Sequence, residues 1–231
     1  MRTVRIATPA YRGQVYAEHE MGVLLVGQDM ASVNSGFRLL AVEHGKDFFI
    51  TARNVLLHNA LQSDADLLLW MDADCAPAYT EPSTLYEFLQ EATRTQGILG
   101  ARAVRKGGGF NVVGDNYGDP RPHAVDRIGL DFTVYNLRWF RGAFARCERE
   151  CSILQGSGAA GGEVHTCGRA HVAAGGPPAM HFFEWRGGVG EDYRACQWVR
   201  EHGGDVRLDP RMPTWHDGKV WSGMQSKVVL Q

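Results

Sequence analysis

Leu67–Asp74, with the sequence LLLWMDAD, places five consecutive apolar residues directly before an Asp-Ala-Asp triplet. An unbroken apolar run of this length is typical of a β-strand that is buried on both faces, as in the middle of a parallel sheet. Such a strand delivers the residues that follow it to the carboxyl edge of the sheet, where open α/β sheets bind ligands. The stretch therefore predicts an α/β fold with a ligand site beside Asp72 and Asp74.

The carboxylates of Asp72 and Asp74 predict a divalent-cation site. In a half-buried cleft, two carboxylates this close would repel one another and lose hydration. A hard cation relieves both costs, because it takes carboxylate oxygens as ligands. An aspartate after a strand is also a common turn former or helix N-cap, and an isolated D-x-D does not decide between these interpretations.

Composition narrows the class of protein. The chain has 231 residues, of which 44% are hydrophobic and 22% charged, which is ordinary for a globular protein with a sizeable core. The formal net charge of −2 gives no sign of an obligatory nucleic-acid partner. We find no signal-peptide core near the N-terminus and no apolar stretch of transmembrane length. Five unevenly spaced cysteines predict no disulfide framework, so we expect a cytoplasmic protein.

The first hundred residues alternate between predicted strands and helices. Besides the central run, the expected strands are Val4–Thr8, Phe37–Val42 and Gly97–Val104. The expected helices are Gln14–Ser32, Phe49–Leu61 with Thr51 as its N-cap, and Glu81–Thr95 with Pro82 in its first turn. This order predicts a mainly parallel central sheet flanked by helices.

The remainder of the chain predicts a smaller and more mixed part. We expect a hairpin that returns along Phe110–Val113, one or two strands over Ile128–Phe140, and a helix opened by Glu191-Asp192-Tyr193. Val206–Leu208 predicts a short strand, and Trp215-His216-Asp217-Gly218 predicts a loop. Arg141–Met180 shows no sustained periodicity and stays unassigned.

Four segments together carry a resemblance to a known family. They are IATPAY at the first strand, ITARNVLLHNAL before the central strand, DADLLLWMDAD at its end, and GEDYRACQWVREHGGDVRLDP followed by WHDG. In this order they resemble the GT-A fold glycosyltransferases, especially the small family-2-like enzymes of bacteria and their phages. The resemblance implies one GT-A-like domain over residues 1–231, with a nucleotide-sugar-binding half (1–105) and an acceptor and catalytic half (106–231), of which 141–180 is not covered.

By this resemblance, the first half of the sheet would bind a nucleotide-sugar donor, such as a UDP- or GDP-sugar. Thr8, Pro9 and Tyr11 would line the nucleotide pocket, and Arg53 would lie near the base or the diphosphate. Asp72 would face the ribose and the metal.

The resemblance also assigns the metal and the catalytic groups. Asp74 would bind Mn²⁺ or Mg²⁺ directly, and His216 matches a position that supplies a further metal or diphosphate contact. A histidine in a surface loop is the alternative for His216. Asp192 would be the catalytic base, with Glu191 beside it.

These roles predict transfer of a sugar to a glycan or another hydroxyl-bearing acceptor, with inversion by single displacement. A cation stabilises a leaving diphosphate, and a carboxylate takes the proton of the attacking hydroxyl. Two alternatives stay open. One is a nucleotidyltransferase that joins sugar phosphates to nucleotides, although ATPAYRGQV lacks the glycine-rich basic loop expected of that class. The other is an inactive nucleotide-sugar-binding module that keeps the fold.

Overall fold

Thirteen strands and five helices are present in the computed structural model, which describes residues 1–32, 35–46, 49–104, 109–116, 118–155, 182–183, 190–216, 219–221 and 229–230. The strands are β1 Arg2–Pro9, β2 Phe37–Gly45, β3 Leu67–Met71, β4 Cys75–Pro77, β5 Gly97–Ala101, β6 Val112–Val113, β7 His123–Ala124, β8 Arg127–Ile128, β9 Phe132–Asn136, β10 Asp205–Asp209, β11 Thr214–His216, β12 Lys219–Trp221 and β13 Val229–Leu230. The helices are α1 Ala17–Met30, α2 Phe49–Gln62, α3 Pro82–Arg94, α4 Leu137–Gln155 and α5 Glu191–Glu201, and a 3-10 turn spans Tyr11–Gly13.

Seven strands form the central sheet, in the order β2-β1-β3-β9-β5-β10-β7. Five of them, β2, β1, β3, β5 and β10, run in one direction, whereas β9 and β7 run in the other. Since strands and helices alternate along the first hundred residues, the crossover helices can cover both faces of such a sheet. The predicted α/β fold with a mainly parallel sheet is confirmed.

The central strand β3 is buried along its whole length, as the apolar run predicts. Its side chains alternate between two hydrophobic clusters, one on each face of the sheet. Leu68 and Trp70 pack with apolar residues of α2, α4 and α5. Leu67, Leu69 and Met71 pack with apolar residues of α1 and α3. Each fully buried leucine in such a layer contributes about 1.5–3 kcal/mol, so β3 links both halves of the core.

The neighbours of β3 differ from those of a purely parallel sheet. On one side it pairs parallel with β1, and on the other it pairs antiparallel with β9, where Met71 lies opposite Phe132. The amino end of β9 therefore reaches the same edge of the sheet as the carboxyl end of β3. This arrangement brings the residue before β9 beside the residue after β3.

A second, four-stranded sheet lies in the order β13-β12-β11-β4. Its β11 pairs antiparallel with β4, so that His216 lies opposite Cys75. The prediction of a loop at Trp215-His216 is wrong, because this pairing places both residues in a strand; residues 217–218 lie outside the described part. The second sheet holds His216 against the segment that follows β3.

Two predictions about helix starts are wrong. Helix α2 begins at Phe49, as predicted, so Thr51 lies inside the helix and is not its N-cap. Ile50 packs on the core, which favours this start. Leu137–Phe140 begins α4 and is not a strand: Asn136 accepts a bond from the Trp139 N–H at 3.3 Å, as an N-cap does.

The predicted hairpin forms only in part. Val104 and Phe110 make a single antiparallel bridge, but Val112–Val113 pairs with β8 instead of returning along β5. Residues 105–108, which include most of the expected turn, lie outside the described part. Arg141–Met180 is described only to Gln155, and over that range it is helical. Across the described residues, no helix combines the length and apolarity needed to span a bilayer.

Gly97, at the start of β5, provides a test of the close packing between β5 and β10. Its φ of +141° is rarely adopted by other residues, and a Cβ there would lie 2.6 Å from the carbonyl oxygen of Asp205. We expect Gly97→Ala to lower the free energy of unfolding by about 2–5 kcal/mol, through backbone strain and overpacking together. Urea denaturation measures this loss.

Gly36→Ala is the matched control, because Gly36 has a φ of +70° but no atom within 4 Å of the added Cβ. Strain alone predicts a loss of about 1–2 kcal/mol at that position. Equal losses in the two variants would contradict the close approach between β5 and β10.

Candidate functional site

Charged residues gather where β3 ends. Asp72 and Asp74 follow that strand, Asp131 directly precedes β9, and Glu191 and Asp192 open α5. The backbone N–H of Asp72 donates to the carbonyl of Asp131 at 3.1 Å, which fixes the two loops side by side. The site is therefore built from three separate parts of the chain.

Arg53 of α2 joins two of these parts. Its Nη2 donates to both carboxylate oxygens of Asp72, at 2.8 and 3.0 Å, and its Nη1 donates to Glu191 Oε1 at 2.8 Å. Arg53 is only 2% exposed, so its charge depends on these two partners. The resemblance predicts that Arg53 approaches the donor, but here its guanidinium connects the end of β3 with the start of α5.

Asp72 lies in a crowded electrostatic environment. Burial raises the pKa of Asp72 to about 7, and repulsion by Asp131 and Asp74 adds to this, although Arg53 acts in the opposite direction. One arginine is therefore insufficient to neutralise the carboxylates at this edge. A further positive charge would be stabilised there.

His216 faces two of the carboxylates. Its Nδ1 lies 2.5 Å from the carbonyl oxygen of Val104 and donates to it. Its Nε2 lies 3.3 Å from Asp131 Oδ1 and 3.7 Å from Asp74 Oδ1. A bare nitrogen lone pair opposite two carboxylate oxygens is repulsive, so either a proton or a bound cation belongs between them. Two carboxylates and an imidazole are a donor set that fits Mn²⁺ or Mg²⁺.

Asp131 is the member of this group that sequence reasoning missed. Its Oδ2 accepts a bond from Asn111 Nδ2 at 2.7 Å, while Asn111 Oδ1 accepts from the backbone N–H of Ala103 at 2.8 Å. These bonds orient the Asp131 carboxylate toward His216. A single aspartate in IGLDF carries no doublet or spacing signal, so only the pairing of β9 with β3 reveals its position.

Asp192 and Glu191 stand in different environments, although they are adjacent. Glu191 is paired with Arg53, whereas Asp192 Oδ1 accepts the N–H of Tyr193 at 2.7 Å. Burial raises the pKa of Asp192 to about 6, Arg53 lowers it, and Glu191 raises it further. A carboxylate with a pKa in this range is suited to accept a proton near neutral pH.

The residues predicted for the donor pocket lie at the end of β1. Thr8 and Pro9 are buried there, and the Thr8 hydroxyl lies 3.0 Å from His19 Nε2. The main chain of Tyr11 is in the 3-10 turn, while its side chain lies outside the described part. His19 is a second residue that sequence reasoning missed: burial lowers its pKa, and its Nδ1 lies 3.0 Å from the carbonyl oxygens of both Asp72 and Cys75.

The donor atoms of Asp74, Asp131 and His216 are not arranged for tight coordination without movement. Within the described ranges, only one group of three His, Cys, Asp or Glu residues has all its donor atoms within 4.8 Å of one another, and it consists of His19, Glu20 and His44. An ion beside His216 would therefore draw the two carboxylates inward.

Comparisons with known proteins bear on the fold. No family model and no curated protein sequence matches the chain. The structure is similar to A197 from STIV, with a TM-score of 0.52 at 15% identity over 100% of this chain and 94% of that one. It is also similar to GalNAc-T7, with a TM-score of 0.51 at 9% identity over 94% of this chain but only 44% of the longer one. These likenesses show the fold alone, and they confirm the predicted GT-A, glycosyltransferase-like fold.

The Arg53 connection predicts a pH-dependent effect on stability. Arg53→Met should leave Asp72 and Glu191 buried without their shared cation, at a cost of about 3–5 kcal/mol where both carboxylates are ionised. Without Arg53 the pKa of Asp72, which is about 7 when the arginine is present, rises further in the folded state. The loss of stability is therefore full above that raised pKa, at alkaline pH, and shrinks as the pH falls through it. Urea denaturation at several pH values measures the effect.

Arg200→Met is the matched control, because Arg200 pairs with Asp126 at 3.2 Å while both side chains are more than half exposed. Such a pair contributes about 0–1 kcal/mol, with little dependence on pH between 5 and 8. Similar losses for the two variants would contradict the bridging role of Arg53.

Proposed function

We propose that the protein is a metal-dependent glycosyltransferase that moves a sugar from a nucleotide-diphosphate donor to an acceptor hydroxyl. The observation that carries the proposal is the presence of two acidic sites, with different surroundings, at one edge of the sheet. Asp74 and Asp131 face His216, while Asp192, with a pKa of about 6, opens the neighbouring helix. One group suits a cation and the other suits a proton, and glycosyl transfer from a diphosphate needs both.

Asp74, Asp131 and His216 would hold the cation, which we propose is Mn²⁺ or Mg²⁺. When bound, it supplies positive charge to the diphosphate that leaves. The GalNAc-T7 structure was determined with UDP, GalNAc and Mn²⁺, the ligand types that this proposal requires. Both carboxylate oxygens of Asp72 accept hydrogen bonds from Arg53. Asp72 would therefore face the ribose and bind the metal only if this ion pair rearranges when the donor binds.

Asp192 is the proposed base, and Glu191 is a positioning residue. The acceptor oxygen forms a bond to the anomeric carbon as the bond to the phosphate oxygen breaks, and Asp192 takes the hydroxyl proton. Because Glu191 is held by Arg53, it is less available for that proton. Attack from the face opposite the leaving group inverts the anomeric configuration, as in one-step displacement at sugars.

Thr8, Pro9 and Tyr11 would line the nucleotide pocket, with Arg53 at its inner wall. UDP- or GDP-sugars are the proposed donors, and a glycan or another hydroxyl-bearing molecule is the proposed acceptor. The donor half would comprise residues 1–105 and the acceptor half residues 106–231.

A donor screen tests the proposal directly. The protein is incubated with UDP-, GDP- and dTDP-sugars, with Mn²⁺ or with a chelator, and release of the nucleoside diphosphate is measured. We expect metal-dependent release from one donor class even without an acceptor. Pyrophosphate release from a sugar phosphate and a nucleoside triphosphate would instead identify a nucleotidyltransferase. Binding without turnover in the presence of acceptor libraries would identify an inactive module.

The aspartate before β9 provides a sharper test. Asp131→Asn keeps the shape of the side chain and its contact with Asn111, but it removes one of the two carboxylate charges facing His216. We expect metal-dependent nucleotide affinity to fall by at least about 10-fold, the lower end of the cost of changes around a metal. Calorimetry with nucleotide and Mn²⁺ measures it.

Asp126→Asn is the control for Asp131→Asn, since Asp126 is an exposed aspartate paired with Arg200. The metal-dependent nucleotide affinity of Asp126→Asn should match that of the unmodified protein. Asp74→Asn should lose about as much of this affinity as Asp131→Asn. Full affinity in Asp131→Asn would remove this aspartate from the proposed metal site.

Asp192 should determine the rate and its pH dependence. We expect Asp192→Asn to retain donor affinity but to lower kcat by about 10²–10⁴, the contribution of a positioned base. In the unmodified protein the rate should rise with pH through about 6, as Asp192 loses its proton. Initial rates across pH 5–8 with the identified donor and acceptor measure both effects.

Glu191→Gln is the companion variant. It should reduce kcat less than Asp192→Asn does, and it should move the rise in rate to lower pH, because the charge of Glu191 raises the pKa of Asp192. A profile without the rise near pH 6, or a normal rate in Asp192→Asn, would contradict the assignment. A product that retains the donor's anomeric configuration would exclude single displacement.

A further inference from the structure

We propose that His19, Glu20 and His44 form a second cation site, which binds Zn²⁺ or a similar late first-row transition metal. Among the residues that the structure describes, this group alone brings three His, Cys, Asp or Glu donor atoms within 4.8 Å of one another. His19 and Glu20 lie in the first turn of α1, and His44 lies near the end of β2, in register with Thr8 of β1. The proposal does not depend on the transfer activity.

The buried ring of His19 is oriented as a metal ligand would be. Its Nδ1 lies 3.0 Å from the carbonyl oxygens of Asp72 and Cys75, and both of these atoms only accept. Nδ1 therefore carries the proton, and Nε2 of the neutral ring presents its lone pair. Metal-binding histidines typically donate their other N–H to a backbone carbonyl or a carboxylate, which fixes the ring and its tautomer. In His19 the Nδ1–H has two such carbonyl partners, those of Asp72 and Cys75.

The other two ligands can move to meet an ion. His44 Nε2 lies 3.9 Å from Glu20 Oε1, and their side chains are 33% and 46% exposed. Tetrahedral ligands with bonds of about 2.0–2.1 Å lie about 3.3 Å apart. The Glu20–His44 pair must therefore approach by about half an ångström and the widest pair by up to about 1.5 Å, which side-chain rotation allows. The Thr8 hydroxyl, now 3.0 Å from His19 Nε2, would turn away.

The chemistry of these donors differs from that of the Asp74, Asp131 and His216 group. Two imidazoles and one carboxylate favour Zn²⁺, Co²⁺ or Ni²⁺, whereas a carboxylate-rich set suits Mg²⁺ or Mn²⁺. Three protein ligands leave a fourth position for water or another small ligand. An ion here would connect α1 with β2 and, through His19, with the backbone that carries Asp72 and Cys75.

Metal titration of variants tests the site. Metal-free protein in excess Mg²⁺ is titrated with Co²⁺, followed by visible absorption, and then with Zn²⁺ by competition. We expect one tetrahedral Co²⁺ per chain that Zn²⁺ displaces. Mutating a residue that only hydrogen-bonds to a metal ligand typically weakens metal binding by about 10–100-fold. His44→Ala and Glu20→Gln, which alter the ligands themselves, should weaken Co²⁺ binding by at least this factor. His216→Ala is the matched control and should bind this Co²⁺ as tightly as the unmodified protein.

Several outcomes would overturn the proposal: no tetrahedral Co²⁺ signal, full affinity in His44→Ala, or loss of the signal in His216→Ala. Nitrogen NMR of the histidine rings tests His19 without altering the chain. We expect an Nδ1–H tautomer whose Nε2 resonance shifts when Zn²⁺ is added. An Nε2–H tautomer, or no shift at saturating Zn²⁺, would exclude His19 as a ligand. None of these measurements uses a sugar donor, so a failed donor screen leaves this test intact.

Discussion

The buried guanidinium of Arg53 is the contact on which the arrangement of the site depends. It ties Asp72 at the end of β3 to Glu191 at the start of α5, two residues that are distant in the sequence. Its neighbour Asn54 acts in parallel, because its side-chain amide exchanges two hydrogen bonds of 2.9 Å with the backbone of Phe183. Arg53 and Asn54, which are consecutive in α2, thus hold the chain at two points: at Phe183, before α5, and at Glu191, where α5 begins. Asp192 owes its place beside the carboxylate cluster to these contacts.

The aromatic core under the site supports this concentration of charge. Trp70 of β3 packs edge-on against Tyr135 and Phe183, with ring centroids 5.8 and 5.5 Å away. Such aromatic contacts add to the stabilisation from burial. Burial has the opposite effect on Asp72 and Asp192: it raises their pKa values, so their ionised forms are disfavoured. The apolar layers therefore stabilise the fold, and the carboxyl edge gives up part of that stability. Sites that bind ions and move protons commonly have this character.

Sequence reasoning succeeded where the signal was local. The apolar run of β3 and the spacing of Leu85, Phe88 and Leu89 in α3 each fix one element without knowledge of its neighbours. It failed over Leu137–Phe140, where four residues are too few to separate a strand from the first turn of a helix. The roles of Asp72, Asp74 and Asp192 come from motifs and stay predictions. The contact between Arg53 and Glu191 has no local signature, because it depends on how α2 and α5 pack.

The position of Asp131 shows most clearly why the sequence alone was insufficient. In a parallel sheet, the residue before a strand lies at the edge opposite to the ligand site. An interpretation that assumes parallel neighbours for β3 would therefore place Asp131 far from Asp72. Because β9 is inserted antiparallel between β3 and β5, its amino end arrives at the carboxyl edge instead. The antiparallel pairing of β11 with β4 brings His216 to Asp74 by the same geometry. Two reversed strands thus supply two of the three proposed metal ligands, and strand direction, more than any motif, determines the composition of this site.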